Sequence, residues 1–153
     1  MLNSEEHATL QIVWTSTLEI GHPEIDAEHH AMVKLLNYVQ AASHRSDESE
    51  VRSALRTLEA LTRDHFAHEE RLMRDIGYEM AARHQEEHIH LFDEIRAQIE
   101  DLNDGITSAV AIAQFIRRWL MNHVETSDRQ LALALARRHS GSPDRLRSGT
   151  ARE

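Results

Sequence analysis

Five histidines and two carboxylates in this chain stand at spacings from which helices could assemble one shared set of metal donors. They fall in four separate stretches: His29, then His65 with Glu69, then His84 with His88, and finally His123 with Asp128. Residues four apart on a helix lie one turn above each other, with Cβ atoms about 5–6 Å apart, so both can reach one ion. His84 and His88 can therefore bind one metal together, and His65 and Glu69 place an imidazole beside a carboxylate. His123 and Asp128 are five apart, which in a regular helix turns them about 140° from each other. If both serve one site, the spacing predicts a π-type bulge or a local break between them.

A single His-x-x-x-His pair would mean little in a chain with twelve histidines. Taken one at a time, each of these residues is more commonly a hydrogen-bonded core or surface histidine than a ligand. Together they make the ordinary reading expensive, because one buried polar group without a partner costs about 1–3 kcal/mol. Metal coordination would satisfy all seven at once. Seven protein donors exceed the four that zinc usually takes, and a nitrogen-rich set disfavours calcium and magnesium. Mixed imidazole and carboxylate suits iron, with manganese, cobalt or zinc as possible substitutes. A pair of octahedral ions sharing both carboxylates and a bridging oxygen would leave one coordination position for a small ligand.

The elements that must position these residues read as helices throughout. His29 opens an apolar stripe continued by Met32, Val33, Leu36 and Val39, within a helix expected from Pro23 or Glu24 to Ala42. A second helix, capped by Ser46 or Asp47 and closed by Gly77, carries Val51, Leu55, Leu58, Leu61, His65 and Glu69 on one face. A third, from about Glu79 to Leu102, aligns His84, His88, Leu91, Ile95 and Ile99. After the turn Asn103-Asp104-Gly105, a fourth begins near Thr107 or Ser108 and carries Ile112, Ile116, Trp119, Leu120, His123 and Val124 on to Leu135. The expected fold is all-α: an antiparallel up-down four-helix bundle with an N-terminal extended arm and a polar C-terminal tail. One domain is expected over 1–139, with the arm at 1–23 and a disordered tail at 140–153.

Composition narrows the function classes. A formal net charge of -9 argues against nucleic acid and anionic membrane surfaces as partners. With no cysteine, disulfides, thiolate metal sites and thiol nucleophiles are excluded. The acidic N-terminal stretch does not read as a secretory signal, and no apolar run is long enough to span a membrane. The expected location is the cytoplasm.

These residues resemble the hemerythrin family, in particular its single-domain bacterial members, the bacteriohemerythrins. The resemblance runs over about 14–135. It rests on Trp14 and Gly21 before Ile25-Asp26-x-x-His29, on His65-Phe66-x-x-Glu69-Glu70 with Met73 and Gly77-Tyr78, on His84-x-x-x-His88 with Phe92, and on Trp119-Leu120-x-x-His123 with Asp128.

Carried over to this chain, the resemblance implies that His84, His88 and His123 bind one iron and His29 and His65 the other, which keeps the open position. Glu69 and Asp128 would bridge the two ions beside an oxo or hydroxo group. It implies reversible dioxygen binding rather than turnover, in an oxygen carrier, store, or delivery or sensing protein. Nitric oxide and other small anions are further candidate ligands. Met32, Phe66, Trp119, Leu120 and Val124 are suited to an apolar lining, with Leu120 as a gate, although each also fits plain bundle core.

Two competing functions are a di-iron enzyme handling peroxide or nitric oxide, and an iron-storage or other metal-binding bundle. Thr15, Leu18 and Glu79 depart from residues common in bacterial relatives. Asp26, Glu70 and Glu87 could support ligand imidazoles but read more simply as solvated charges, and His30 and His68 are expected to face away from the ligand stripe.

Overall fold

A computed structural model of the chain describes residues 11–140. The beginning of the expected arm and all but the first residue of the expected tail lie outside the described residues. Within them run α1 (Pro23–His44), α2 (Glu48–Ile76), α3 (Ala81–Asn103), α4 (Ala109–His123), a π turn (Val124–Asp128) and α5 (Arg129–Ser140).

The helix ends follow from local chemistry. Pro23 sits in the first turn of α1, where its missing N–H costs nothing. That helix continues two residues past the expected Ala42, and the chain then turns at Ser46, whose φ is 57°. Asp47 caps α2 by accepting from the Glu50 N–H at 3.0 Å. Gly77 ends α2 in the left-handed region at φ 62°, while the Tyr78 N–H reaches the Met73 carbonyl at 2.9 Å. Helix α3 starts at Ala81 rather than Glu79, because Tyr78 to Met80 is spent on that turn. Ser108 caps α4 through its hydroxyl, which accepts from the Ala111 N–H at 3.2 Å. Ser140, assigned to the tail on composition, completes the last turn of α5.

Helix α1 packs on α2, α2 on α3, α3 on α4 and α4 back on α1, which closes a four-membered ring of sequence neighbours. Short connections make consecutive helices antiparallel, so the architecture is an up-down four-helix bundle. Its main core is apolar and draws Leu36 and Val39 from α1, Leu55 and Leu58 from α2, Ile95 from α3, and Ile112 and Ile116 from α4. Burying each such side chain contributes about 1.5–3 kcal/mol. A separate small cluster of Met73, Leu131 and Leu135 closes the other end. Between the two clusters the helices turn polar side chains inward.

The arm is fastened rather than merely laid along the bundle. Ile12 and Leu18 are buried. The Ile12 N–H donates to the Asn37 side-chain oxygen at 2.9 Å, and the Asn37 amide nitrogen donates back to the Ile12 carbonyl at 2.9 Å. Arg129 donates to the Thr17 carbonyl at 2.9 Å, linking the arm to α5. Asp26 accepts from the backbone N–H groups of Ile20 and Gly21 at 2.8 and 3.1 Å. It is therefore neither a solvated charge nor a partner of a ligand imidazole, but the clasp of the arm.

Candidate metal centre

All seven donor residues converge. His29 comes from α1, His65 and Glu69 from α2, His84 and His88 from α3, His123 from α4, and Asp128 from the π turn; none is more than 2% exposed. Two donor groups form, each with ligand atoms lying within 4.8 Å of one another. Glu69, His84, His88, His123 and Asp128 make up one, and His29, His65, Glu69 and Asp128 the other, so both carboxylates belong to both groups. The π turn brings Asp128 round: its Oδ1 lies 3.0 Å from His123 Nε2 and 3.1 Å from His84 Nε2, and its Oδ2 3.0 Å from His29 Nε2. Glu69 Oε2 is 3.1 Å from His88 Nε2 and 3.6 Å from His65 Nε2.

The arrangement fits a cation and little else. Nε2 atoms face each other at 3.2 Å between His29 and His65, 3.0 Å between His84 and His123, and 3.1 Å between His88 and His123. Although ring nitrogens stand close by, neither carboxylate oxygen of Glu69 or Asp128 has a hydrogen-bond partner of acceptable direction. In a dry core, ring nitrogens aimed at one another and orphaned carboxylates are costly unless positive charge lies between them. The titration behaviour says the same. Burial, and then the neighbouring Asp128, pushes Glu69 up to about 8. Burial alone would depress His84, but the carboxylates of Asp128 and Glu69 outweigh it and raise that imidazole to about 9. His88 falls to about 2 through burial and its histidine neighbours, as a neutral metal ligand should. Asp128 is held well below the carboxylate range by the surrounding imidazoles despite its burial.

An outer layer of carboxylates orients the rings. Glu87 Oε2 lies 2.9 Å from His123 Nδ1 and accepts from the Ser127 hydroxyl at 2.6 Å. Glu70 Oε1 stands 3.7 Å from His88 Nδ1, too far for a hydrogen bond but close enough for attraction. The expectation that Glu87 and Glu70 are solvated charges is therefore corrected: Glu87 orients a ring directly, and Glu70 lies beside one. Glu28 was missed altogether. Its two oxygens sit 2.7 Å from His65 Nδ1 and 2.7 Å from His68 Nδ1. His68 does turn away from the seven donors, as expected, yet it is tied to this outer layer. Burial would raise Glu28, but the hydrogen bonds of His65 and His68 prevail and lower it. Glu28 is thus an ionised acceptor, and each ring donates through Nδ1 and leaves Nε2 bare.

The five residues expected as an apolar lining all pack in or against the main apolar core. Met32, Phe66, Leu120 and Val124 are buried, and Trp119 is half-buried. Phe66 stacks on His88 with ring centroids 3.8 Å apart, and Trp119 on His123 at 4.2 Å. These two aromatics consequently lie against the three-histidine group. Thr62, one turn before His65, puts a buried hydroxyl 3.7 Å from the Met32 sulfur and is a polar member of the lining that the apolar pattern concealed.

The family profile described as the hemerythrin HHE cation binding domain matches residues 21–135. The chain belongs to the hemerythrin family. It is 30% identical over 123 residues to a bacteriohemerythrin of Pseudomonas aeruginosa, covering 76% of each chain. A Stenotrophomonas maltophilia bacteriohemerythrin is 30% identical over 127 residues, with 79% of each covered. The myohemerythrin of Riftia pachyptila is 29% identical over 116 residues, or 76% of this chain and 87% of the relative. A crystal structure of wild-type hemerythrin superposes with a TM-score of 0.76 at 24% identity, covering 82% of this chain and 98% of the other, and so shares the fold. The description of that family names cation binding. Among the described residues no helix is long and apolar enough to cross a membrane.

Proposed function

We propose that the protein binds dioxygen reversibly at a pair of non-haem iron ions, in the cytoplasm. The observation that carries this reading is the inequality of the two donor groups. Both share Glu69 and Asp128, but one adds three imidazoles and the other only two, His29 and His65. The group with fewer protein donors has room for an exogenous ligand. His84, His88 and His123 would hold one iron and His29 and His65 the other, with the two carboxylates spanning both. When bound, the iron pair supplies the electrons that dioxygen binding requires.

The chain's own residues would do the rest. Glu28 and Glu87 fix ring orientation and tautomer for His65 and His123. Met32, Leu120 and Val124 keep bulk water from the donors, and Phe66 and Trp119 hold two imidazoles by stacking. Nitric oxide or a small anion would compete for the same room.

Two measurements test this reading together: iron per chain, and the visible spectrum of the reduced protein through cycles of oxygen addition and removal. Two irons with a reversible oxygen-dependent absorption band are expected. One zinc per chain, or a spectrum indifferent to oxygen, would sink the proposal.

A further inference from the structure

Just outside the buried centre, the same chemistry is laid out a second time at the surface. Glu28 bridges two imidazoles, His65 facing inward and His68 facing outward, at 2.7 Å each. A carboxylate on the Nδ1 of a histidine fixes the tautomer in which Nε2 is free to ligate. Glu28 does this for His65 toward the core, and it does the same for His68 toward solvent. The His68 Nε2 points at the Glu24 carboxylate, 3.4 Å away, and Glu24 itself is 75% exposed. His22 stands next to them, its ring centroid 6.3 Å from that of His68 and the planes 70° apart.

We propose that His68 Nε2, a Glu24 oxygen and His22 form an auxiliary binding site for a divalent transition metal, separate from the buried centre. Two imidazoles with one carboxylate are a recurrent ligand set for zinc and ferrous ions, leaving the remaining positions to water. In the buried three-histidine group, ring centroids lie 4.5 to 5.1 Å apart. The outer pair is wider, at 6.3 Å, so sharing an ion would require the half-exposed His22 to change rotamer. What His22 gives up is small: its Nδ1 accepts from the Ile25 N–H at 3.5 Å, the long limit of a hydrogen bond. The positive end of α1 opposes a cation here, and Glu24 and Glu28 offset it.

Two of the three proposed ligands, Glu24 and His68, share a cleft with an inner ligand candidate. Glu24, Glu28 and His68 line an open cleft of about 630 Å³ whose wall includes the inner ligand candidate His65, with Asp64 and Arg71 also on the rim. An ion held by His68 would thus sit one carboxylate away from the buried donors.

The test uses the iron-loaded protein dialysed to equilibrium against micromolar Zn2+, with zinc and iron both quantified per chain. One zinc per chain with undiminished iron is expected. Glu24→Gln and His22→Gln should each weaken zinc retention by about ten-fold or more while leaving iron content unchanged. No retained zinc, retention by either variant equal to that of the parent, or zinc gained only as iron is lost would each overturn the proposal. The readout involves no oxygen, so its failure is distinct from a failure of the dioxygen reading.

Discussion

Toward the connections that join α1 to α2 and α3 to α4, the interior is filled by Val39, Leu55, Ile95 and Ile112. Toward the opposite end, the same four helices turn imidazoles and carboxylates inward in an equally dry setting. The first half lowers the free energy of folding whatever is bound, because apolar burial needs no partner. The second half opposes folding until a cation arrives, because its donors are desolvated and face one another. Truncating a residue should therefore have opposite consequences in the two halves, and that contrast can be tested.

The largest effect is expected from Asp128→Ala, which removes an oxygen donor from both groups at once. Metal affinity should fall by more than about 100-fold, beyond the 10–100-fold typical of outer partners, measured by competition with a chelator. The metal-free variant should change its melting temperature far less than its metal affinity, since the desolvation relieved by removing the carboxylate offsets the imidazole contacts it loses. A metal-free variant that melts markedly lower would blur the contrast between the halves.

Leu55→Ala, at a position 2% exposed, should cost about 2–5 kcal/mol in urea unfolding of metal-free and loaded protein alike. Iron per chain should not change, and a loss of bound iron would show the halves to be coupled.

Glu28→Gln and Glu87→Gln sharpen the comparison within the polar half. Each should weaken metal affinity by about 10–100-fold, Glu28→Gln through His65 and Glu87→Gln through His123. Equal affinity to the parent would demote these carboxylates to surface charges.

The smallest effect is a pH slope. Glu69 is raised to about 8 and His84 to about 9, so the folded metal-free protein keeps protons that the unfolded chain has released. Their contribution is fully present below the ordinary pKa of each group and is lost as the pH climbs through those values. The melting temperature of metal-free protein should drop between about pH 7 and about pH 9. With metal bound the ligands are already deprotonated, and the drop should largely vanish. Parallel curves for the two forms would contradict the account.

Much of this organisation is legible in the residues themselves. The apolar stripes locate all four helices, Asp47, Gly77 and Ser108 mark ends, and the offset between His123 and Asp128 demands a distortion, realised as the π turn Val124–Asp128. The outer carboxylates are a different matter. Glu28, Glu70 and Glu87 stand on half-exposed flanks, where an orienting acid and a solvated one leave the same pattern. Only the packing of α1 on α2, of α2 on α3 and of α3 on α4 decides which of them meets a ring. Asp26 shows the converse, since its place beside the ligand stripe says nothing of the backbone N–H groups it clasps in the arm.

The π turn has a reach beyond the donor it delivers. It inserts one residue relative to a regular helix, so everything after it is rotated by about 100° from the phase of α4. Leu131 and Leu135 inherit that rotation, and with Met73 they plug the polar end of the bundle. Deleting Thr126 would thus swing the Asp128 carboxylate and the closing plug out of place together. A chain shortened there by a single position would forfeit its shared oxygen donor and its lid at one stroke.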